Sequence, residues 1–173
     1  MLPDEILNLT EKAYFKRSIS IDECFEETSK KLYIHFVNSF FEEVMLSKNV
    51  RKTNNFIAFI FMNKLSNECF DVLLKFLLVD SHTLHEDILN HAQSIKKEIA
   101  IPYLNELIKC DFDSSPISGN IDDYYAAIRK SFFALGDIKS NEAIKIIRSY
   151  LNHNDPKVNE FAVEQMNRIE GSL

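Results

Sequence analysis

From Val50 to its end the chain repeats one rhythm: apolar residues recur every three or four positions, then a short polar break follows. An apolar stripe of that period is one face of an amphipathic helix. The rhythm predicts helices over 52–64, 67–79, 83–96, 99–109, 121–135, 141–152 and 156–169. Helices this short gain little from propensity and need neighbours to bury their stripes, so antiparallel helix pairs stacked on one another are expected. Glycine usage agrees, because the chain has only Gly119, Gly136 and Gly171. A β-rich domain of this length would need many tight turns with positive φ, and helical hairpins need few. The expected fold class is all-α.

Upstream, Pro3 followed by Asp4 and Glu5 suits a helical first turn whose exposed N–H groups favour acids, with that helix reaching about Arg17. Ser20 and Glu23 have the spacing of a capping box. Leu32, Phe36, Phe40 and Val44, flanked by Tyr33, Val37 and Phe41, form a broad apolar stripe, with Lys30, Lys31, Glu42 and Glu43 left for solvent. Residues 1–49 are expected to cap or dock on a repeat region, 50–173, within one compact domain. The candidate core is Phe36, Phe40, Ile88, Ala92, Leu104, Leu135, Ile144, Ile147 and Val158.

The octet from Ser66 to Leu73 matches that from Ser140 to Ile147 in pattern, and Ala100 to Leu107 fits between them. Periods in the range of roughly 30–45 residues mark two-helix solenoid repeats. Ala134-Leu135-Gly136-Asp137-Ile138, then Asn141-Glu142-Ala143-Ile144, then Asn154-Asp155-Pro156-Lys157-Val158 resembles the HEAT-repeat pattern in its short bacterial lyase-type form, best from Leu84 to Gly171. The resemblance implies a HEAT-like α-solenoid with an N-terminal helical cap. It implies that Gly136 lets a first helix end against a second, and that Asp155-Pro156 starts the next first helix. Val158, Ala162 and Met166 would line its inner stripe, echoed by Ile88 and Ala92, and by Ala127, Ser131 and Leu135. Arginine is common after the Asp-Pro-x-Val position, and Asn159 stands there instead. A repeat fold implies no particular activity.

Charge is unevenly placed. The net charge is −6, and the segment 80–128 carries nine acids against Lys96, Lys97 and Lys109. Such a surface repels a phosphate backbone and attracts a basic partner. The aromatics follow helical spacing, which makes core packing their default, and lack the interleaved bases of a nucleic-acid stacking groove. No glycine-rich phosphate loop, GxSxG, HExxH or CxxC occurs, and adjacent carboxylates such as Glu26-Glu27 diverge on a helix. No catalytic residue, cofactor or nucleic-acid partner is therefore expected.

The longest apolar run, Phe56 to Met62, falls far short of the roughly 18 residues of a membrane span. The early acids argue against a secretory leader. Cys24, Cys69 and Cys110 are widely spaced, which suits buried thiols in a reducing, cytoplasmic setting.

Two constellations invite metal chemistry. His82, His85 and Glu86 could share one helix face, yet a metal needs three or four converging ligands, and a polar helix start is the commoner meaning. The loop from Asp111 has Pro116 where a calcium loop needs glycine, and Asp122 where it needs glutamate. A solvated acidic loop with local turns is expected instead, and no metal site. The acids Asp111, Asp113, Asp122 and Asp123, with Glu86 and Asp87, are the candidate partner-binding residues. The function expected is protein binding, foremost as a small acidic inhibitor or immunity protein neutralising a basic toxin. A scaffold or adaptor holding a peptide on a concave face is the alternative. A HEAT-like DNA glycosylase or lyase-type enzyme ranks below both, because it wants a basic face.

Overall fold

A computed structural model describes residues 5, 8, 10–12, 30–117 and 119–171. Within them the chain is all-helical, with eight α-helices and no strand. The capping box expected at Ser20 and Glu23, and Cys24, lie outside the described residues, as does most of the helix expected from Pro3. The helices are α1 (Lys30–Ser47), α2 (Val50–Met62), α3 (Phe70–Phe76), α4 (His85–Ile95), α5 (Ile101–Lys109), α6 (Ile121–Ile138), α7 (Asn141–Ser149) and α8 (Pro156–Glu170). A 3-10 turn at Glu98–Ala100 leads into α5. Among the described residues no helix is long and apolar enough to cross a membrane.

The chain forms two compact units. One comprises Met1–Leu73 with Ser81–Leu84, the other Leu74–Asp80 with His85–Leu173. In the first, α1 packs on α2. Asn49 starts α2 by accepting the Lys52 amide at 3.0 Å, and Phe56 to Ile60 are buried without a break. Expectation and structure part on α1. Its buried line is Val37, Phe41 and Val44, one residue on from Phe36 and Phe40, which are half-buried. Phe36 instead lies over Phe40 at 5.1 Å and edges onto Phe59 at 5.0 Å. A stripe two residues wide has two possible centres, and the facing α2 ring decides between them.

In the second unit α6 is the hub, packing against α4, α5, α7 and α8, with α8 also against α7. Ile88, Ala92, Leu104, Leu135, Ile147 and Val158 are buried, as the periodicity requires. Ile144 is only half-buried, because α7 buries Ala143 and Ile147 and leaves its shoulder partly exposed.

Helix starts follow local capping. Ser140 accepts the Ala143 amide, and Asp155 accepts the amides of Lys157 and Val158. Ala100 caps nothing with its side chain, and Pro102 fixes the start of α5. The match at Ser66 opens turns rather than a helix, and α3 begins only at Phe70.

Gly136 does not end its helix, contrary to the expectation. It is buried inside α6, which runs on to Ile138. A Cβ at Gly136 would stand 2.9 Å from both Gln165 Oε1 and Arg168 Nη2, so its role is close approach to α8 rather than termination. Termination falls to lysines: Lys48, Lys64, Lys96 and Lys139 follow α1, α2, α4 and α6 at φ between 48 and 57. This left-handed geometry usually goes to glycine. A cation there faces the negative end of the helix dipole, which offsets part of the strain. Asn159, the departure from the HEAT pattern, donates through Nδ2 to the carbonyl of Leu151 in the turn after α7, satisfying an acceptor the helix leaves open.

Candidate docking surface

Between α5 and α6 the chain runs through its long acidic loop, 110–120, and several local bonds fix the described part of it. Asp111 accepts the amide of Ser114 at 2.9 Å and also its hydroxyl, a turn closed by a side chain. Those two bonds hold the Asp111 carboxyl below its ordinary value. Asn120 accepts the amides of Asp122 and Asp123 at 2.8 and 3.1 Å, while Asp123 accepts the Asn120 amide at 3.3 Å. This capping box opens α6. Gly119 has φ +137, and a Cβ there would run into the Asp123 carboxylate.

Loop and helix are tied by an aromatic residue that periodicity assigns simply to the core. The Tyr124 hydroxyl donates to the Cys110 carbonyl at 2.8 Å, and Phe112 meets the Tyr124 ring edge-on at 5.8 Å. Burial, then the charge of Asp155, pushes the Tyr124 hydroxyl up to about 12, so it stays a donor. The rings continue to Tyr125 at 5.0 Å and Phe161 at 6.4 Å. Lys157 Nζ stands 4.3 Å over Tyr125, whose hydroxyl donates to Asp155 at 2.8 Å. Phe112 is 40% exposed although it ends this row.

Asp111, Asp113, Asp122 and Asp123 are all exposed on this tied elbow of loop and helix start. Glu86 and Asp87 are exposed as well, but in the first turn of α4. Glu86 pairs with Lys130 at 2.9 Å. That anchor is about 12 Å further along α6 than Asp122 at 1.5 Å rise per residue. The structure thus gathers four of the six acids and leaves the other two beside a base. Burial, then the neighbouring Glu86, raises the Asp87 carboxyl.

Beside the elbow lies a cleft of about 410 Å³ that the sequence does not announce. Leu78, Val79 and Pro116 give it apolar walls, and Asp80 and Glu106 are its charged members. Cys110, Ser114 and Ser115 complete the lining. The Cys110 thiol is half-buried, where the spacing predicts a buried one, and donates to the Glu106 carbonyl at 3.4 Å. Burial, then Glu106 and Asp111, raises its pKa, the opposite of what a nucleophilic thiol needs.

His82 and His85 bond to nearby backbone. His82 is buried and accepts the Leu84 amide at 3.0 Å, and buried His85 donates to the Val79 carbonyl at 3.0 Å. Among the described residues no group of three or more His, Cys, Asp or Glu is placed to hold a metal ion. Two arginines on α6 and α8 are matched by acids: Arg129 grips Glu164 through two bonds, and Arg168 donates to Asp137 at 2.8 Å. No protein-family model, curated protein or solved structure matches the chain.

Proposed function

We propose that this chain is a HEAT-like binding module that docks a basic protein on its acidic elbow, in the manner of a small immunity protein covering a basic toxin domain. The observation that carries the reading is the elbow itself. The Tyr124–Cys110 bond, the Phe112–Tyr124 contact and the Asn120–Asp123 capping box hold four exposed aspartates on one short stretch beside an exposed phenylalanine. Carboxylates so fixed attract a basic surface over a Debye length, and an aromatic at their edge supplies contact area at small entropic cost. The HEAT-like part draws support from the buried spacing of Ile88 and Ala92 on α4, Ala127, Ser131 and Leu135 on α6, and Val158, Ala162 and Met166 on α8. Pairing of Arg129 and Arg168 with acids weakens the nucleic-acid alternative.

The test begins with a pull-down and proceeds to association kinetics against salt for the partner found. Changing Asp111, Asp113, Asp122 and Asp123 to asparagine should slow association and flatten its salt dependence. Because Asp111 and Asp123 also shape the turn and the cap, the Asp113→Asn, Asp122→Asn pair serves as the control that leaves those bonds intact. Unchanged association of the quadruple variant at low salt overturns the reading. A partner held equally well by a peptide on another face would favour the scaffold alternative.

A further inference from the structure

We infer that the cleft beside the elbow receives one long cationic side chain of the partner, arginine or lysine; this rests on the docking reading above and specifies its anchor. A cleft of about 410 Å³ falls within the range of roughly 300–1,000 Å³ typical of small-molecule sites. It therefore has room for one side chain and bridging water. Its chemistry is divided as such a side chain is. The apolar part, Leu78, Val79 and Pro116, matches the methylene stem of a lysine or arginine. Leu78 is 38% exposed, so that stem would cover apolar surface now facing water. The charged part is wholly acidic, with Asp80 and Glu106 as the charged lining residues and the hydroxyls of Ser114 and Ser115 as further acceptors. A cation finds acceptors here and no competing base in the lining.

One base stands near. Lys109 donates to Glu106 at 2.6 Å, but both side chains are more than half exposed, at 54% and 56%. Exposed pairs of this kind exchange readily with solvent and contribute little, so an incoming cation shares or replaces Lys109. Cys110, on the cleft wall, sits beside Glu106, and burial first, then the charges of Glu106 and Asp111, raises its thiol. Asp111 belongs to the elbow, and Ser114, which it holds, belongs to the cleft. The two features are thus built from one turn, and a partner steered to the elbow arrives with the cleft beside it. Arginine should be favoured over lysine, because its planar fork can engage two carboxylates and the hydroxyls together.

The experiment uses the full chain and three blocked peptides, Gly-Arg-Gly, Gly-Lys-Gly and Gly-citrulline-Gly, the last neutral but nearly isosteric with the first. Amide resonances of Val79, Ser114 and Ser115 should shift with the arginine peptide at millimolar concentration, less with lysine, and not with citrulline. Changing Asp80 to Asn and Glu106 to Gln together should weaken the arginine peptide by about tenfold, equivalent to about 1.4 kcal/mol. Equal shifts with citrulline, no shift with any peptide, or an unweakened double variant overturns the inference. If the peptides leave the cleft unmoved while the four aspartate changes slow the partner, the cleft inference falls and the elbow reading stands. If arginine fills the cleft while those changes leave the partner's association untouched, the elbow reading falls.

Discussion

Replacing Gly136 by alanine sets two physical effects of opposite sign against each other. In an ordinary helix interior the change stabilises by about 0.5–1 kcal/mol, because glycine gives up more backbone freedom on folding. Here the new methyl would stand 2.9 Å from Gln165 Oε1 and 2.9 Å from Arg168 Nη2. Arg168 can swing aside, since its side chain is 36% exposed, at the expense of its bonds to Asp137 and the Phe133 carbonyl. Partial exposure keeps that loss small, about 0.5 kcal/mol. Gln165 is fully buried and has nowhere open to go, so it supplies the overpacking cost of about 1–3 kcal/mol. Subtracting the propensity gain from the two losses together leaves Gly136→Ala destabilising by about 0.5–3 kcal/mol. Urea denaturation of parent and variant measures the difference, and its sign decides which effect wins. A stabilised Gly136→Ala variant would refute the close-approach role. A Gln165→Ala background supplies the internal check: with the obstructing amide gone, the loss should shrink by about 0.5 kcal/mol or more. An equal loss in both backgrounds would mean that Gln165 is not the obstruction.

Leu104→Ala and Ile147→Ala, both at fully buried positions, should each destabilise by about 2–5 kcal/mol; denaturation showing a loss under about 0.5 kcal/mol would mean that the helical register is wrong. Burial pushes the Asp155 carboxyl up, but the Tyr125 hydroxyl and the Lys157 and Val158 amides outweigh it and leave it below 3.8. Its contribution is therefore present above 3.8 and lost as pH falls through the lowered folded value. Asp155→Ala should lose about 1 kcal/mol at neutral pH, with the gap to the parent closing in acid; a gap independent of pH would refute this. Lys139→Gly should stabilise by about 0.5 kcal/mol, the left-handed penalty less the entropy glycine adds to the unfolded chain and the lost contact of the cation with the helix dipole, and a lower melting temperature would overturn it.

What can be read in advance follows the range of the forces involved. The start of α8 is legible because Asp155 and Pro156 act within one turn, and α6 begins at Ile121 as expected because the Asn120 cap is equally local. The end of α6 is not, because Gly136 answers to side chains some thirty positions away on α8. Periodicity puts Phe36 and Phe40 one residue off the buried line because the facing rings of α2 choose the centre of a wide stripe. At the candidate site, the four aspartates and the loop length stand in the sequence. The Tyr124 tie does not, since nothing local distinguishes that tyrosine from a packing residue, and the cleft is built from three separated segments around Leu78, Glu106 and Ser114.

The four lysines in left-handed geometry after α1, α2, α4 and α6 bear on how this chain can change over generations. No single base change turns a lysine codon into a glycine codon, so the relaxed residue cannot be reached in one step. The intermediate steps are unequal. Arginine keeps a cation at the helix end, whereas glutamate puts a negative charge against the negative pole of the dipole. Drift at these sites should therefore pass through arginine, and the stability that glycine would release stays out of reach for long periods. A designer can take it directly, and so obtain a background robust enough to carry many simultaneous changes on the acidic elbow.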